Sequence, residues 1–184
     1  MWFYRSNSGV SHGCATRRAE AVDTAVVALL GRITFGETFG YLFRDHQDDL
    51  RAYLDRTFDV AKVERSLGKS ENAYWLAFSA GLPVGYAKLK QPSAPPMMAG
   101  QHAAQLQKIY VLHQFLGQRI GRALLGRAMC EAAAKAPLVW LDVLEDNERA
   151  VAFYRKHGFA VVGTDTYAIG AQRFAFHIMA RALV

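Results

Sequence analysis

The sequence predicts a single α/β domain built on a mixed sheet of about six to seven strands flanked by helices. Three observations predict it. Strand-like apolar runs alternate along the chain with segments of helical periodicity, the order expected of a layered α/β fold. Two of the strand-like runs, residues 74–79 and 84–90, flank the turn Gly81-Leu82-Pro83 and read as a hairpin, so the sheet is not purely parallel. The third is size, since 184 residues with 52% hydrophobic and 21% charged side chains suit one globular unit.

In chain order, residues 15–19 form a short extended segment leading to Asp23, which can cap a helix carrying Val26, Val27, Leu30 and Ile33 at helical spacing. Leu50, Tyr53, Leu54, Thr57 and Phe58 signal a second helix, and Val60, Val63 and Leu67 a third, closed by Gly68. An aromatic stretch with Phe35, Phe39, Tyr41 and Phe43 lies between the first two. After the hairpin, residues 91–104 are rich in Pro, Ala and Met and form a surface loop, because strand-like residues 106–111 resume at once. A glycine-containing loop follows, then a helix over 121–134, a strand over 138–143, a helix over 147–157 and strands near 160–163 and 173–180. Residues 1–13 mix Trp2, Phe3 and Tyr4 with Ser, Asn and Gly and lack the apolar core of a secretory signal. They are set apart as a flexible leader to a domain over 14–184.

Composition excludes several classes. Arg32, Arg127 and Glu131 break the most apolar stretches, so a membrane span is not expected. Cys14 and Cys130 have neither a CxxC neighbour nor a metal-ligand spacing, which fits a reduced, cytoplasmic protein without disulfide or metal. The net charge of +6 suits a polyanion, but no basic stripe with interleaved aromatics marks nucleic acid. A phosphate-bearing cofactor remains the natural partner.

The junction after residues 106–111 carries the first sign of chemistry. The strand Ile109-Tyr110-Val111 runs through His113 and Phe115 into Leu116-Gly117-Gln118-Arg119-Ile120-Gly121-Arg122 and then the apolar helix Ala123-Leu124-Leu125. The first turn of a helix has N–H groups without intrahelical partners and the positive end of the macrodipole, so it binds phosphate through the backbone. Gly117 and Gly121 let a ligand approach the main chain, and Arg119 and Arg122 add charge. Alone, this is equally an ordinary turn, and it is neither a P-loop nor a GxGxxG fingerprint.

The second sign is the segment Asn147 to Tyr154. At about 100° per residue these two positions differ by about 20° around a helix, with Ala150 and Val151 on the same face. An amide, small apolar groups and a phenol thus share one surface, although Asn147 is equally a helix cap and Tyr154 a core aromatic.

Residues 106–159 together resemble the acetyl-CoA-binding half of the GNAT N-acetyltransferase superfamily. The residues that carry the resemblance are Tyr110-Val111, Gly117 to Leu125, Asn147, Ala150, Phe153-Tyr154 and Gly158-Phe159. Arg18-Ala19, Asp23 and Gly85-Tyr86 fit the N-terminal half more loosely, while residues 38–58 and 167–182 resemble PaiA-like polyamine N-acetyltransferases. The resemblance implies a GNAT-like fold and acetyl-CoA as cosubstrate. Backbone groups of Ile109, Tyr110 and Val111 would pair with the pantetheine arm. Leu116, Gly117, Gln118, Arg119, Ile120, Gly121 and Arg122 would hold the pyrophosphate, and Asn147, Ala150, Phe153 and Tyr154 would line the cofactor. In the family register Gln/Arg-x-x-Gly-x-Gly/Ala, Leu116 stands at the first position and Arg119 at the first glycine. Arg119 fits this position if its φ is negative, its guanidinium then joining the phosphate site, whereas a φ above zero there would weaken cofactor binding.

The implied reaction is direct attack of an amine on the thioester, with Tyr154 as the acid that protonates the leaving thiolate. An alkylammonium has a pKa near 10.4, so freeing the amine at pH 7 costs about 4 to 5 kcal/mol unless a base shares the work. Some relatives carry a glutamate on the strand before the loop, where this chain has Gln107. Glu37 is the first candidate for the base, ahead of Asp142, Glu145, His113 or a water chain. The expected acceptor is a small primary amine, with polyamines among the candidates if Glu37, Asp45, Asp48 and Asp49 form an acidic cluster. A protein lysine or N-terminal amine, or a degenerate acyl-CoA-binding regulator, are the alternatives. Residues 91–104 and the C-terminal strand are the surfaces a homodimer would use.

Overall fold

The computed structural model describes residues 14–183, so the leader expected over 1–13 lies outside the described residues. Twelve elements follow one another: β1 (Ala15–Arg18), α1 (Thr24–Phe39), α2 (Gln47–Thr57), α3 (Val60–Leu67), β2 (Asn72–Ser79), β3 (Leu82–Lys90), β4 (Ala104–Val111), α4 (Ile120–Ala133), β5 (Leu138–Leu144), α5 (Glu148–Lys156), β6 (Ala160–Ile169) and β7 (Gln172–Ala182). The strands make one seven-stranded sheet in the order β1-β2-β3-β4-β5-β7-β6. Only β4 and β5 run parallel; every other neighbouring pair is antiparallel, so the sheet is mixed as expected.

Alternation along the strands sorts the core onto two faces. Val139, Leu141 and Val143 of β5 point to the face covered by α4 and α5, where they meet Leu124, Leu125, Val151 and Tyr154. On the opposite face, Val27 and Leu30 of α1 and Val63 of α3 pack on Leu76 and Tyr86. A further cluster gathers Phe35, Phe43, Leu50 and Phe58 with Tyr110 of β4 and with Ile169 and Phe174 of the β6–β7 hairpin.

Four local expectations are corrected. Asp23 makes no side-chain cap to α1. Its carboxylate accepts two bonds from Arg17 at 2.6 and 2.7 Å and one from the Glu20 N–H at 2.8 Å, because a bidentate guanidinium outcompetes the helix N–H groups. Arg17 accordingly holds the Asp23 carboxyl below its usual range. Phe35 and Phe39 lie inside α1 rather than in a connector. With its flanking turns, the helical stretch Ala21–Phe43 is 23 residues long with hydropathy 1.3, long and apolar enough by composition to cross a bilayer. Arg32 does not interrupt it, being drawn aside to Asp55 at 2.6 Å. Gly68 closes α3 as expected, in the right-handed region at φ −73°. Finally, β6 and β7 are 10 and 11 residues long and pair down to Ile169 opposite Gln172. The run Gly163-Thr164-Asp165-Thr166 lacks strand-like alternation and is extended by its partner strand.

Candidate active site

The site begins with a break in the sheet. β4 and β5 are in register only at Ala104 opposite Val139 and Gln105 opposite Trp140. From Leu106 onward the edge of β4 that faces β5 has no partner strand, and the sheet opens in its middle. The cause is visible on the other side of β4, where Lys88 opposes Lys108 but Leu89 opposes Leu106. Gln107 is therefore an extra residue, a bulge that bends β4 away from β5. Beyond it, Ile109, Tyr110 and Val111 offer backbone groups to whatever enters the opening, as an edge strand does.

Where β4 ends, the chain makes one 3-10 turn, and α4 starts at Ile120. The backbone N–H of Leu116 bonds to His113 and that of Ala123 to Arg119, at 3.2 and 3.1 Å. Between them, the N–H groups of Gly117, Gln118, Arg119, Ile120, Gly121 and Arg122 have no backbone acceptor among the described residues. The loop is wound by two left-handed residues, Gly117 at φ +83° and Arg119 at φ +62°. Of the two conformations left open for Arg119, the loop takes the one with positive φ. A long side chain thus occupies a left-handed position that favours glycine, at a cost of about 1 kcal/mol. Free amides, an exposed loop and the positive end of a 14-residue helix make an anion site.

α5 stands beside this loop. Asn147 caps it, its Oδ1 accepting from the Ala150 N–H at 3.1 Å, which leaves the side-chain NH2 free to donate. Phe153 reaches across to α4, where a Cβ on Gly121 would lie 3.8 Å from the ring. Gly158, at φ +82°, ends the helix and returns Phe159 to within 5.7 Å of the Tyr154 ring centroid. Tyr154 is held between Phe153 and Phe159 and is 7% exposed. Burial pushes its phenol well above the ordinary value, so the hydroxyl stays protonated at any working pH.

The other face of the opening is polar. Asp142 alternates with Leu141 and Val143 and so points away from α5. Its Oδ2 accepts from Gln105 Nε2 at 3.0 Å and its Oδ1 from the Tyr167 hydroxyl at 3.1 Å. Gln107 Nε2 in turn donates to Gln105 Oε1 at 2.9 Å. Burial, with a smaller push from Asp165, raises the Asp142 carboxyl above its usual range against the pull of the two hydrogen bonds. Further along β4, Lys108 lies over the rings of Phe58 and Tyr110, 5.1 and 5.8 Å from their centroids. Burial and the charge of Lys62 lower its pKa to about 8.

Glu37, the first candidate for the base, stands exposed on α1, where its Oε2 accepts from the His113 N–H at 2.9 Å. That bond ties α1 to the turn after β4. Of the other acidic residues considered with it, Asp49 accepts from the Ala171 N–H at 3.1 Å, and Asp48 lies 3.9 Å from Arg51. No group of three metal-ligating side chains occurs among the described residues. Gln105, Lys108 and Tyr167 were absent from the sequence-based candidates. The alternation of residues 138–143 was the one available signal, since it puts Asp142 on the face away from the apolar residues.

The fold and site define a class: an α/β protein whose central sheet opens between β4 and β5 beside a helix N-terminus with unpartnered N–H groups. The profile of the acetyltransferase (GNAT) family matches residues 38–159, and the chain belongs to that family. It is an acyltransferase enzyme that takes acetyl groups from acetyl-CoA. An uncharacterized N-acetyltransferase of Mycobacterium tuberculosis is 30% identical over 138 residues, which cover 74% of this chain and 84% of that protein. The N-alpha-acetyltransferase RimI of the same organism is 34% identical over 110 residues, 59% of this chain and 65% of its own. Among solved structures, the PaiA N-acetyltransferase of Thermoplasma acidophilum in complex with coenzyme A superposes with a TM-score of 0.75 at 19% identity. The match covers 92% of this chain and 99% of that one, and at this identity the likeness is one of fold.

Proposed function

We propose that this enzyme acetylates the primary amine of a small molecule by direct attack within a ternary complex. The observation that carries the choice of a small acceptor is the apolar cluster that joins Tyr110 of β4 to Ile169 and Phe174 of the β6–β7 hairpin through Phe35 and Phe43. The Asp49 bond to Ala171 fastens the same hairpin to α2. The acceptor side of the opening is bridged from α1 and α2 to the hairpin tip, which suits a slender amine better than an extended polypeptide. Polyamines belong to this class; Asp49 and Glu37 each accept one backbone N–H bond, which fixes one oxygen and leaves the charge in place.

In this reading the pantetheine amides bond to Ile109, Tyr110 and Val111, and the pyrophosphate sits on the free N–H groups from Gly117 to Arg122 with Arg119 and Arg122 beside it. Asn147, Ala150 and Phe153 line the arm. An N–H on β4 past the bulge polarises the thioester carbonyl as an oxyanion donor. The amine lone pair forms the C–N bond and the C–S bond breaks. The Tyr154 hydroxyl gives its proton to the thiolate, whose acid has a pKa near 8.5, and the adduct nitrogen loses the proton that restores the phenol.

Thiol release from acetyl-CoA, measured against n-butylamine, spermidine, free lysine and an alanyl peptide, tests the proposal. Release with the small amines and not with the peptide supports it. Release with the peptide alone overturns the choice of acceptor, and acetyl-CoA binding without release for any amine overturns the enzymatic reading.

A further inference from the structure

The face of the sheet beneath α1 and α3 carries cations without a counter-charge. Lys88 of β3 and Lys108 of β4 are directly opposed in the register, so their Cα atoms are about 5 Å apart and their side chains leave the sheet on the same side. Both are half-buried. Neither takes part in an ion pair among the described residues. Their neighbours are aromatic faces instead: Lys88 Nζ lies 5.4 Å from the Tyr74 centroid, and Lys108 Nζ lies 5.1 and 5.8 Å from those of Phe58 and Tyr110. Burial, and after it the charges of Lys108, Lys90, Lys69 and Lys62, lowers the Lys88 pKa to about 8, much as burial and Lys62 do for Lys108. No carboxylate raises either.

A third donor without an acceptor lies next to them. Tyr86 stands two residues before Lys88 on the same face, 1% exposed, and its hydroxyl has no hydrogen-bond partner among the described residues. A Cβ on Gly31 would touch both this hydroxyl and the Phe58 ring over which Lys108 lies, so the three groups share one neighbourhood.

Position makes this a place for substrate. Lys108 is the first residue of β4 past the Gln107 bulge, at the lip of the opening. Its two aromatic neighbours, Phe58 and Tyr110, belong to the cluster that bridges the acceptor side. Cations withdrawn from water beside one another are costly, and an anion set against them both removes their repulsion and accepts charge-assisted hydrogen bonds.

We infer that Lys108 and Lys88 bind an oxyanion, a carboxylate or a phosphate, carried by the acceptor amine itself. The inference rests on the proposed amine acetylation and narrows its substrate class to amines with an anionic group at the far end of a short chain. The oxyanion accepts N–H bonds from the two ammonium groups, and the amine at the other end reaches the thioester beside β4. Spermidine would bring positive charge to the same place and is repelled.

The test measures kcat/KM for 4-aminobutyrate, O-phosphoethanolamine, n-butylamine and spermidine with acetyl-CoA. It compares the wild type with Lys108→Met, Lys88→Met and Lys108→Arg, with calorimetric acetyl-CoA binding as the control for folding. The wild type is expected to prefer an anionic amine to n-butylamine by about 20-fold, the worth of one charge-assisted hydrogen bond, and to use spermidine least. Either anionic amine upholds the site, and the better one names its oxyanion. Each Met variant is expected to cut the preference to about threefold or less, and Lys108→Arg to keep most of it. Equal use of anionic and neutral amines, a preference for spermidine, or a ratio unmoved in both Met variants overturns the oxyanion site and leaves amine acetylation standing. If the wild type turns over no amine, the functional reading falls, and calorimetry of the two anionic amines on the CoA-bound protein decides the site by itself. Binding that Lys108→Met weakens about tenfold upholds it; no binding, or equal binding, overturns it.

Discussion

Tyr154 of α5 and Asp142 of β5 lie on opposite faces of the sheet. The phenol belongs to the apolar layer under α4 and α5, and the carboxylate to the polar layer bounded by Gln105 and Tyr167. The arrangement sets a phenol kept protonated by burial apart from a carboxylate held by two neutral donors. The following expectations concern the parts of this arrangement.

Replacing Tyr154 by Phe removes the hydroxyl and leaves the ring packed between Phe153 and Phe159. Turnover is expected to fall about 100-fold, the lower range for loss of a general acid, with acetyl-CoA affinity within twofold. Steady-state kinetics beside calorimetry checks this; unchanged kcat removes the phenol from the reaction.

Arg119 sits at φ +62° in a loop whose anion site consists of backbone amides. Arg119→Gly is expected to raise stability by about 0.5 to 1 kcal/mol in denaturant melts. Acetyl-CoA affinity should drop no more than about threefold, the value of one exposed charge near a phosphate. A tenfold loss would make the guanidinium a principal ligand.

Gly170, at φ +59°, turns the β6–β7 hairpin against Asp49, and a Cβ there would collide with the Asp49 carboxylate. Gly170→Ala is expected to lift the hairpin from α2 and raise the acceptor KM several-fold, with acetyl-CoA binding unaffected. Gly85 makes a separate test of β4, since its Cβ would stand 2.6 Å from the Tyr110 carbonyl oxygen. Gly85→Ala should weaken acetyl-CoA binding and lower the melting temperature together, because it wedges β3 from the strand that carries the opening.

Asp142 offers a prediction about stability as well. Its carboxyl is raised in the fold, so its contribution to stability is greatest below the unfolded value near 3.9 and is lost as pH rises through the raised value. Asp142→Asn is therefore expected to unfold at a higher temperature than the wild type at pH 8, with the gap shrinking toward pH 5. A variant that loses both activity and stability at pH 8 would point to structural damage.

How much of this could be read from the chain depended on whether the cause was local. The shared face of Asn147 and Tyr154 follows from helical periodicity, and the free amides from Gly117 to Arg122 follow from a helix that begins after a glycine-containing loop. The opening itself depends on a bulge at Gln107, which is set by the pairing of β3 with β4 and leaves no mark on the strand's own pattern. The partners of Asp142 lie 37 and 25 residues away, so its burial could not be ranked against that of Glu37. The conformation of Arg119 stayed open for another reason: a loop register can be matched residue by residue while one position keeps the glycine geometry without the glycine.

Two register pairs, Ala104 with Val139 and Gln105 with Trp140, are the ladder that joins the β1–β4 half of the sheet to the β5–β7 half, with the Gln105–Asp142 side-chain bond beside them. The remaining cohesion comes from α4 beneath and from the aromatic bridge above. Such a seam opens more readily than a continuous ladder, so amide protons along the exposed edges of Leu106 to Val111 and of β5 should exchange with solvent faster than those of the β2–β3 pair. An occupant that bonds to the lips of the seam acts as a missing strand between two half-sheets. Its arrival should slow exchange in both halves at once, so that filling the active site and completing the fold become the same event.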